Sequence, residues 1–458
     1  MKTKITSLLG ASIIASTSLA QVSPVISSWL RNTTGITGRH YVSGNSTPIN
    51  DSYLANVQSV KYSTNFVYVS CTGIPSYVIG PYLDGNPNQG GDNANIYKIP
   101  LVPVANTGSL SPTTGGTIGV FINGVSLFDY RDGVSWKSST NSLCGGPIMP
   151  PCTGDGVWNR DAVVGERLGF DCAKGHPAMT NYHHHQNPSA FNLDLTVIST
   201  ICNLYASDAL YVINSTVHSP LIGYAADGFP IYGAYGYKNA DGTGGIVRMK
   251  SSFNLRSITT RSTLYTSTAT VTPGPAVSST YPLGYFKEDY EYVPTTTLTP
   301  DYLDIHNGRF CVTPEYPLGT YCYFATVDAN HNSAYPYVVG PTFYGVKNVS
   351  KVTSITETTT TYTGSATTNL QSINLDAAIN IYPNPSADII MIQSKELLTH
   401  DLKVELSNLT GQVIAKKDFY QGSTICYFET TGLYNGTYFL TIIDNGIKKS
   451  FKVIINNE

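Results

Sequence analysis

Short runs rich in Val, Ile, Tyr and Phe, each closed by Gly, Pro, Asn or Asp, recur along most of the chain. Residues 65–70, 116–123, 220–224, 229–235, 309–313 and 320–327 have this form, which predicts strands bounded by turns. Asn123-Gly124, Asp132-Gly133 and Asp227-Gly228 are turn dipeptides that supply positive φ at low cost. The run from Arg309 to Val327 predicts one hairpin around a loop from Pro314 to Gly319. Helical periodicity is nearly absent, residues 193–207 being the best candidate. The pattern therefore predicts a mainly β body with a sandwich-like architecture.

Shifts in the pattern divide the chain. Residues 1–20 join Lys2 and Lys4 to an apolar run through Leu8, Leu9, Ile13 and Ile14, then Ser18-Leu19-Ala20; this predicts a secretory signal peptide cut between Ala20 and Gln21. The first cysteine is Cys71, far from that junction, which argues against a lipid anchor. No later stretch is long and apolar enough to span a bilayer. A body from 21 to 344 is followed by a Thr/Ser-rich linker over 345–374 and a small β-domain over 375–458.

Composition fits an exported β-protein. Charged residues are 12% of the chain, about half of the ~25% usual in soluble domains, whereas Tyr alone contributes 33 residues. The net charge of -3 indicates neither a nucleic-acid footprint nor a polybasic membrane patch. Eight cysteines in an exported chain point to disulfides. Cys144 with Cys152 and Cys311 with Cys322 flank short turns and are the simple pairs; Cys172 with Cys202 is a third. A thiolate metal ligand is the other role open to Cys172.

Four of the nine histidines fall between His176 and His185, beside Asp171 and Cys172. In an extended segment His183 and His185 project together and His184 points the other way. Two imidazoles on one strand face make half of a Zn or Cu site; the same tract also suits a solvated polar turn. His176 can loop back toward the pair across Pro177, and His218, before a strand, is the fourth candidate ligand. Asp171 can orient a ligating imidazole and Tyr182 can support it. Asp227 is first a turn residue, with ligand or general-base work as its alternative. Glu315, near Arg309, predicts a salt-bridged loop residue. Tyr232 to Tyr237 and Tyr335 to Tyr337 are either core or a carbohydrate-stacking platform. His40, His306 and His331 lie outside these motifs. No Gly-x-Ser-x-Gly elbow, P-loop or His-Glu-x-x-His helix is present, which leaves serine hydrolase, nucleotide and zincin chemistry without support. The predicted mature terminus, Gln21, argues against a copper oxygenase that ligates through an N-terminal His.

Two resemblances follow from the motifs. Ile381-Tyr382-Pro383-Asn384-Pro385-Ser386, Leu406-Ser407-Asn408-Leu409-Thr410-Gly411, Asn435-Gly436-Thr437-Tyr438 and the closing strand around Val453 resemble the type A sorting domain of the type IX secretion system. That resemblance implies an immunoglobulin-like β-sandwich, the type IX machinery as partner, and a cargo released or attached to surface lipopolysaccharide. Gly119-Val120-Phe121-Ile122-Asn123-Gly124-Val125, the Asp171 to His185 segment, His218-Ser219-Pro220, Asp227-Gly228-Phe229-Pro230 and Asn307-Gly308-Arg309-Phe310 resemble a YHYH domain. The chain departs from the naming motif where His184 replaces the second Tyr. The resemblance implies a domain type and no particular activity. Three functions stay open: a secreted or cell-surface protein with a histidine-built Zn or Cu site, catalytic or structural; a non-enzymatic module binding glycans or matrix through Tyr and Trp; and a disulfide-stapled scaffold.

Overall fold

The computed structural model describes residues 22–457 except 43–46, 83, 87, 147–151, 189–214, 296–298, 365–378, 395–397, 399–400, 410, 421–422 and 445–446. The expected signal peptide, the expected helix at 193–207 and Cys202 lie outside the described residues. The rest is β-rich and built from several sheets.

The largest sheet has eight strands: β1 (Thr117–Phe121), β2 (Ser126–Phe128), β3 (Gly175–Ala178), β4 (Asn181–His184), β5 (Leu221–Ala225), β6 (Pro230–Tyr232), β7 (Gly308–Cys311) and β8 (Thr320–Phe324), in the spatial order β3-β4-β2-β1-β5-β6-β8-β7. The β4–β2 and β6–β8 pairs are parallel and the others antiparallel. The turn between β1 and β2 is closed by Gly124, whose N–H donates to the Phe121 carbonyl and whose φ is +85°. A Cβ there would lie 2.5 Å from that of Cys71, so only glycine fits. Asp227-Gly228 turns β5 into β6 as expected. Asp132-Gly133 instead lies inside the strand Arg131–Lys137, where Gly133 takes a positive φ. The β7–β8 hairpin is the one expected between Arg309 and Val327.

Strands Val57–Tyr62, Phe66–Cys71 and Asn95–Pro100 form the centre of a five-stranded sheet. Its two edges correct the expected linker. Ser350–Lys351 pairs with Asn95–Pro100 and Thr360–Thr361 pairs with Val57–Tyr62. A Thr-rich stretch with little apolar content reads as a linker, yet Thr is a good strand residue once a sheet edge offers it hydrogen bonds. Val120, Tyr182, Tyr224, Ile231 and Tyr323 from the large sheet and Val67, Val69 and Ile99 from the smaller one belong to one buried core. The C-terminal part has its own core, with Ile390, Val404, Leu440 and Val453 among its members, drawn from a three-stranded and a four-stranded sheet.

Cys144 and Cys152 are disulfide-bonded, and Cys172 is also in a disulfide, which removes the thiolate-ligand role. Cys311 and Cys322 are free and buried, against the expected bond. Cys311 lies opposite Thr320 and Cys322 opposite Arg309, so the two cysteines are diagonal neighbours whose thiols meet as a hydrogen-bonded pair and not as a disulfide.

Candidate metal centre

The antiparallel register of β3 and β4 sets His176 directly opposite His183. Their side chains share one face, and His185, two residues beyond His183, joins them. The Nε2 atoms of His183 and His185 are 3.1 Å apart, and those of His176 and His185 are 3.4 Å apart. All three residues are buried, and one ligand atom from each lies within 4.8 Å of the others, so the group can hold a metal ion. Two ligands bound at ~2.0–2.1 Å to one ion sit about 2.9–3.4 Å apart at right-angled to tetrahedral angles, which matches the His183–His185 and His176–His185 spacings.

The second ring nitrogens of His183 and His185 are committed. His183 Nδ1–H donates to the Asn181 carbonyl at 2.9 Å, and His185 Nδ1–H donates to the Asp129 carbonyl at 2.6 Å. A carbonyl only accepts, so in the neutral rings both Nε2 atoms are lone pairs directed into the cluster. Phe128 of β2 stacks on His183 with centroids 4.0 Å apart, and Phe170 meets His176 edge-on at 4.8 Å. These walls hold the rings and exclude water.

Glu166 had not been singled out in the sequence. Helix α1 (Ala162–Gly165) is N-capped by Asp161, whose side chain accepts from the Val163 N–H, and Glu166 follows at its C-terminal end. Its Oε2 lies 3.1 Å from the Nε2 of both His176 and His185. That oxygen is buried, and the two imidazoles at this distance are its only close polar contacts among the described residues, neither meeting full hydrogen-bond geometry. The only sequence signal is its position ten residues before His176, and no local pattern marks it.

Electrostatics follow from burial and crowding. Burial, with the neighbouring His176 and His185 rings, holds His183 far below the ordinary imidazole value. Burial also works against charge on His185, but Glu166 outweighs it and lifts this imidazole above the usual value. Glu166 itself is held well below the carboxylate range: burial opposes this, and the facing His176 and His185 prevail.

His184 points to the opposite face, as alternation requires. Its Nδ1–H donates to the Lys174 carbonyl and its Nε2 accepts from the Tyr77 hydroxyl at 2.8 Å; burial pushes its pKa down to about 3. Asp171 does not orient a ligating imidazole. Its carboxylate accepts from the Tyr182 hydroxyl and from the N–H groups of Gly80, Ala173 and Gly175, which ties down the base of the β3–β4 hairpin. Burial raises it to about 6.

His218 is not part of the cluster. It packs against Tyr232, Tyr237 and Phe324, near the β6–β8 end of the sheet, with Nδ1–H donating to the Ser219 carbonyl. Three strands stand between β6 and the histidine-bearing hairpin β3–β4. Asp227 is a buried turn residue that accepts from the Phe229 and Gly345 N–H groups and the Tyr323 hydroxyl. Glu315 accepts from Tyr232 and not from Arg309, which donates to the Lys238 and Pro300 carbonyls. Tyr232, Tyr235, Tyr335, Tyr337 and all three tryptophans are buried, so these aromatics serve the core.

Comparison with known families agrees with this geometry. Residues 96–336 match the model described as YHYH protein, and 380–456 match the secretion system C-terminal sorting domain. A search of curated proteins returns no match. Among the described residues no helix is long and apolar enough to cross a membrane. The first match spans more than half of the chain and contains all three clustered histidines; the chain belongs to the YHYH protein family and carries a C-terminal type IX sorting domain that addresses it for export.

Proposed function

We propose that this protein is an exported metalloprotein in which His176, His183 and His185 bind one transition-metal ion, Zn or Cu, through Nε2. One observation carries the proposal. His183 and His185 each spend Nδ1–H on a backbone carbonyl, yet their Nε2 atoms face each other at 3.1 Å. Two lone pairs at that distance repel unless a cation lies between them. A proton bridges one such pair, whereas a metal ion satisfies all three rings, and imidazole donors suit Zn and Cu.

The hairpin already has its own supports in the Asp171 network, the β2 pairing and His184. The ion is therefore not needed to hold the strands, which favours a reactive centre that polarises a substrate or activates water. Most of the aromatics considered for a glycan- or matrix-binding face are buried, Tyr237 being half-buried, which places that function second. A sandwich-like body and an immunoglobulin-like tail belong to the same proposal, supported by sheets sharing one core in each part. So does engagement of the type IX machinery, with the product released or attached to surface lipopolysaccharide.

Elemental analysis of the purified chain beside its His183→Ala/His185→Ala variant tests the centre. The expected result is about one Zn or Cu per wild-type chain and none in a variant that still melts cooperatively. Equal metal content in the two, or none in the wild type after incubation with Zn or Cu, overturns it.

A further inference from the structure

We infer that Glu166 is a fourth, exchangeable ligand of this ion; the inference rests on the three-histidine centre proposed above. Its Oε2 stands 3.1 Å from two of the three donor nitrogens, within the spacing expected of ligands sharing one ion. A buried carboxylate oxygen without a well-aimed donor is costly, and this one has only the two imidazole contacts at 3.1 Å. An ion at the centre of the cluster removes that cost and those of the facing imidazole lone pairs together.

The attachment of Glu166 differs from that of the histidines. The rings are fixed by strand pairing, aromatic walls and, for His183 and His185, carbonyl hydrogen bonds. Glu166 hangs from the end of α1, its N–H donating to the Ala162 carbonyl at 2.9 Å, and its side chain is the least buried of the four at 23% exposed. Its backbone is anchored, and its partly exposed side chain gives the carboxylate a route toward solvent. A ligand of that kind closes the site at rest and gives up its position to water or an incoming oxygen donor, which restores the open coordination position a reactive centre requires. Three neutral imidazoles and one carboxylate leave a divalent ion with a single net positive charge. That set suits a divalent ion over Cu(I), which soft sulfur ligands select.

Cobalt(II) is a suitable probe because its visible absorption reports coordination number. Titrations of the full chain, Glu166→Ala, and the His183→Ala/His185→Ala variant separate the two proposals. The expected result is binding by wild type, at least tenfold weaker binding with an altered spectrum for Glu166→Ala, and return toward the wild-type spectrum on adding acetate. Wild-type affinity and spectrum in Glu166→Ala overturn the inference while leaving the histidine centre standing. Failure of the wild type to bind cobalt, or binding that survives loss of His183 and His185, overturns the histidine centre and this inference with it.

Discussion

A carboxyl group sealed from water holds its proton to higher pH than it does in an unfolded chain, and Asp161 is such a group. Burial raises it to about 7, against hydrogen bonds from Tyr337 and from the Val163 and Val164 N–H groups. The folded pKa lies above the unfolded value of ~3.9, so the folded state binds the extra proton between those two values. Its stabilising share is complete below pH ~4 and is lost as pH rises through about 7. Asp161→Asn keeps the shape of the neutral acid without its titration. Wild type is expected to lose thermal stability relative to Asp161→Asn between pH 5 and pH 8; an unchanged difference in Tm would show that Asp161 does not titrate there. His184 supports a second residue-level prediction. Its two hydrogen bonds are buried and on the face away from the metal cluster. His184→Ala should cost about 2 kcal/mol in urea unfolding, from the two lost hydrogen bonds to the Tyr77 hydroxyl and the Lys174 carbonyl. Its metal content should equal that of the wild type, and loss of metal would contradict the two-faced arrangement.

The β3–β4 hairpin is the element on which the centre depends, and its tightest point is Gly175. A Cβ there would meet the Tyr182 hydroxyl at 2.3 Å and the His184 ring at 2.8 Å, both of them fully enclosed. Gly175→Ala must displace Tyr182 from Asp171 or push β3 away from β4. The expected cost is about 1–3 kcal/mol, with weakened metal binding because His176 moves with β3. Unchanged stability and metal affinity would mean that the hairpin absorbs the extra carbon. The same element shows what the sequence could disclose. Period-two alternation made the His183/His185 pair legible, and short β-branched and aromatic runs located β1, β5 and the β7–β8 hairpin. The facing of His176 depends on register, and Glu166 arrives from a separate turn, so neither is encoded in a local pattern. His218 shared the familial motif, yet three strands separate β6, against which it packs, from the hairpin. Cys311 and Cys322 flank a turn and their thiols do meet, but from diagonal register positions and as free cysteines, which spacing alone does not fix.

At the scale of the whole molecule, the decisive boundary lies after the strands supplied by the Thr-rich stretch and not before them. Gly345 N–H donates to the buried Asp227 carboxylate, Val346 N–H to the Val104 carbonyl, and Asn348 and Val349 N–H to the Ala226 carbonyl. Beyond them, Ser350–Lys351 and Thr360–Thr361 cover both edges of the five-stranded sheet, and Arg31 donates to the Tyr362 carbonyl at 3.0 Å. The C-terminal part has a separate apolar core, so its removal takes nothing from the core of the body. A chain ending at Tyr344, the boundary suggested by composition, loses every one of these bonds and exposes two sheet edges. At about 1 kcal/mol net per hydrogen bond it should be less stable by several kcal/mol. For a domain of this size that corresponds to a Tm lower by about 10 °C. A chain ending at Gly364 should melt with the body of the full chain and bind the same metal, while losing the sorting domain and staying behind the outer membrane. Melting curves of the three chains decide the first point and cell fractionation decides the second. Equal Tm for the chains ending at Tyr344 and Gly364 would return residues 345–364 to the role of a linker. Export of the shorter chain would remove the sorting domain from its assigned work.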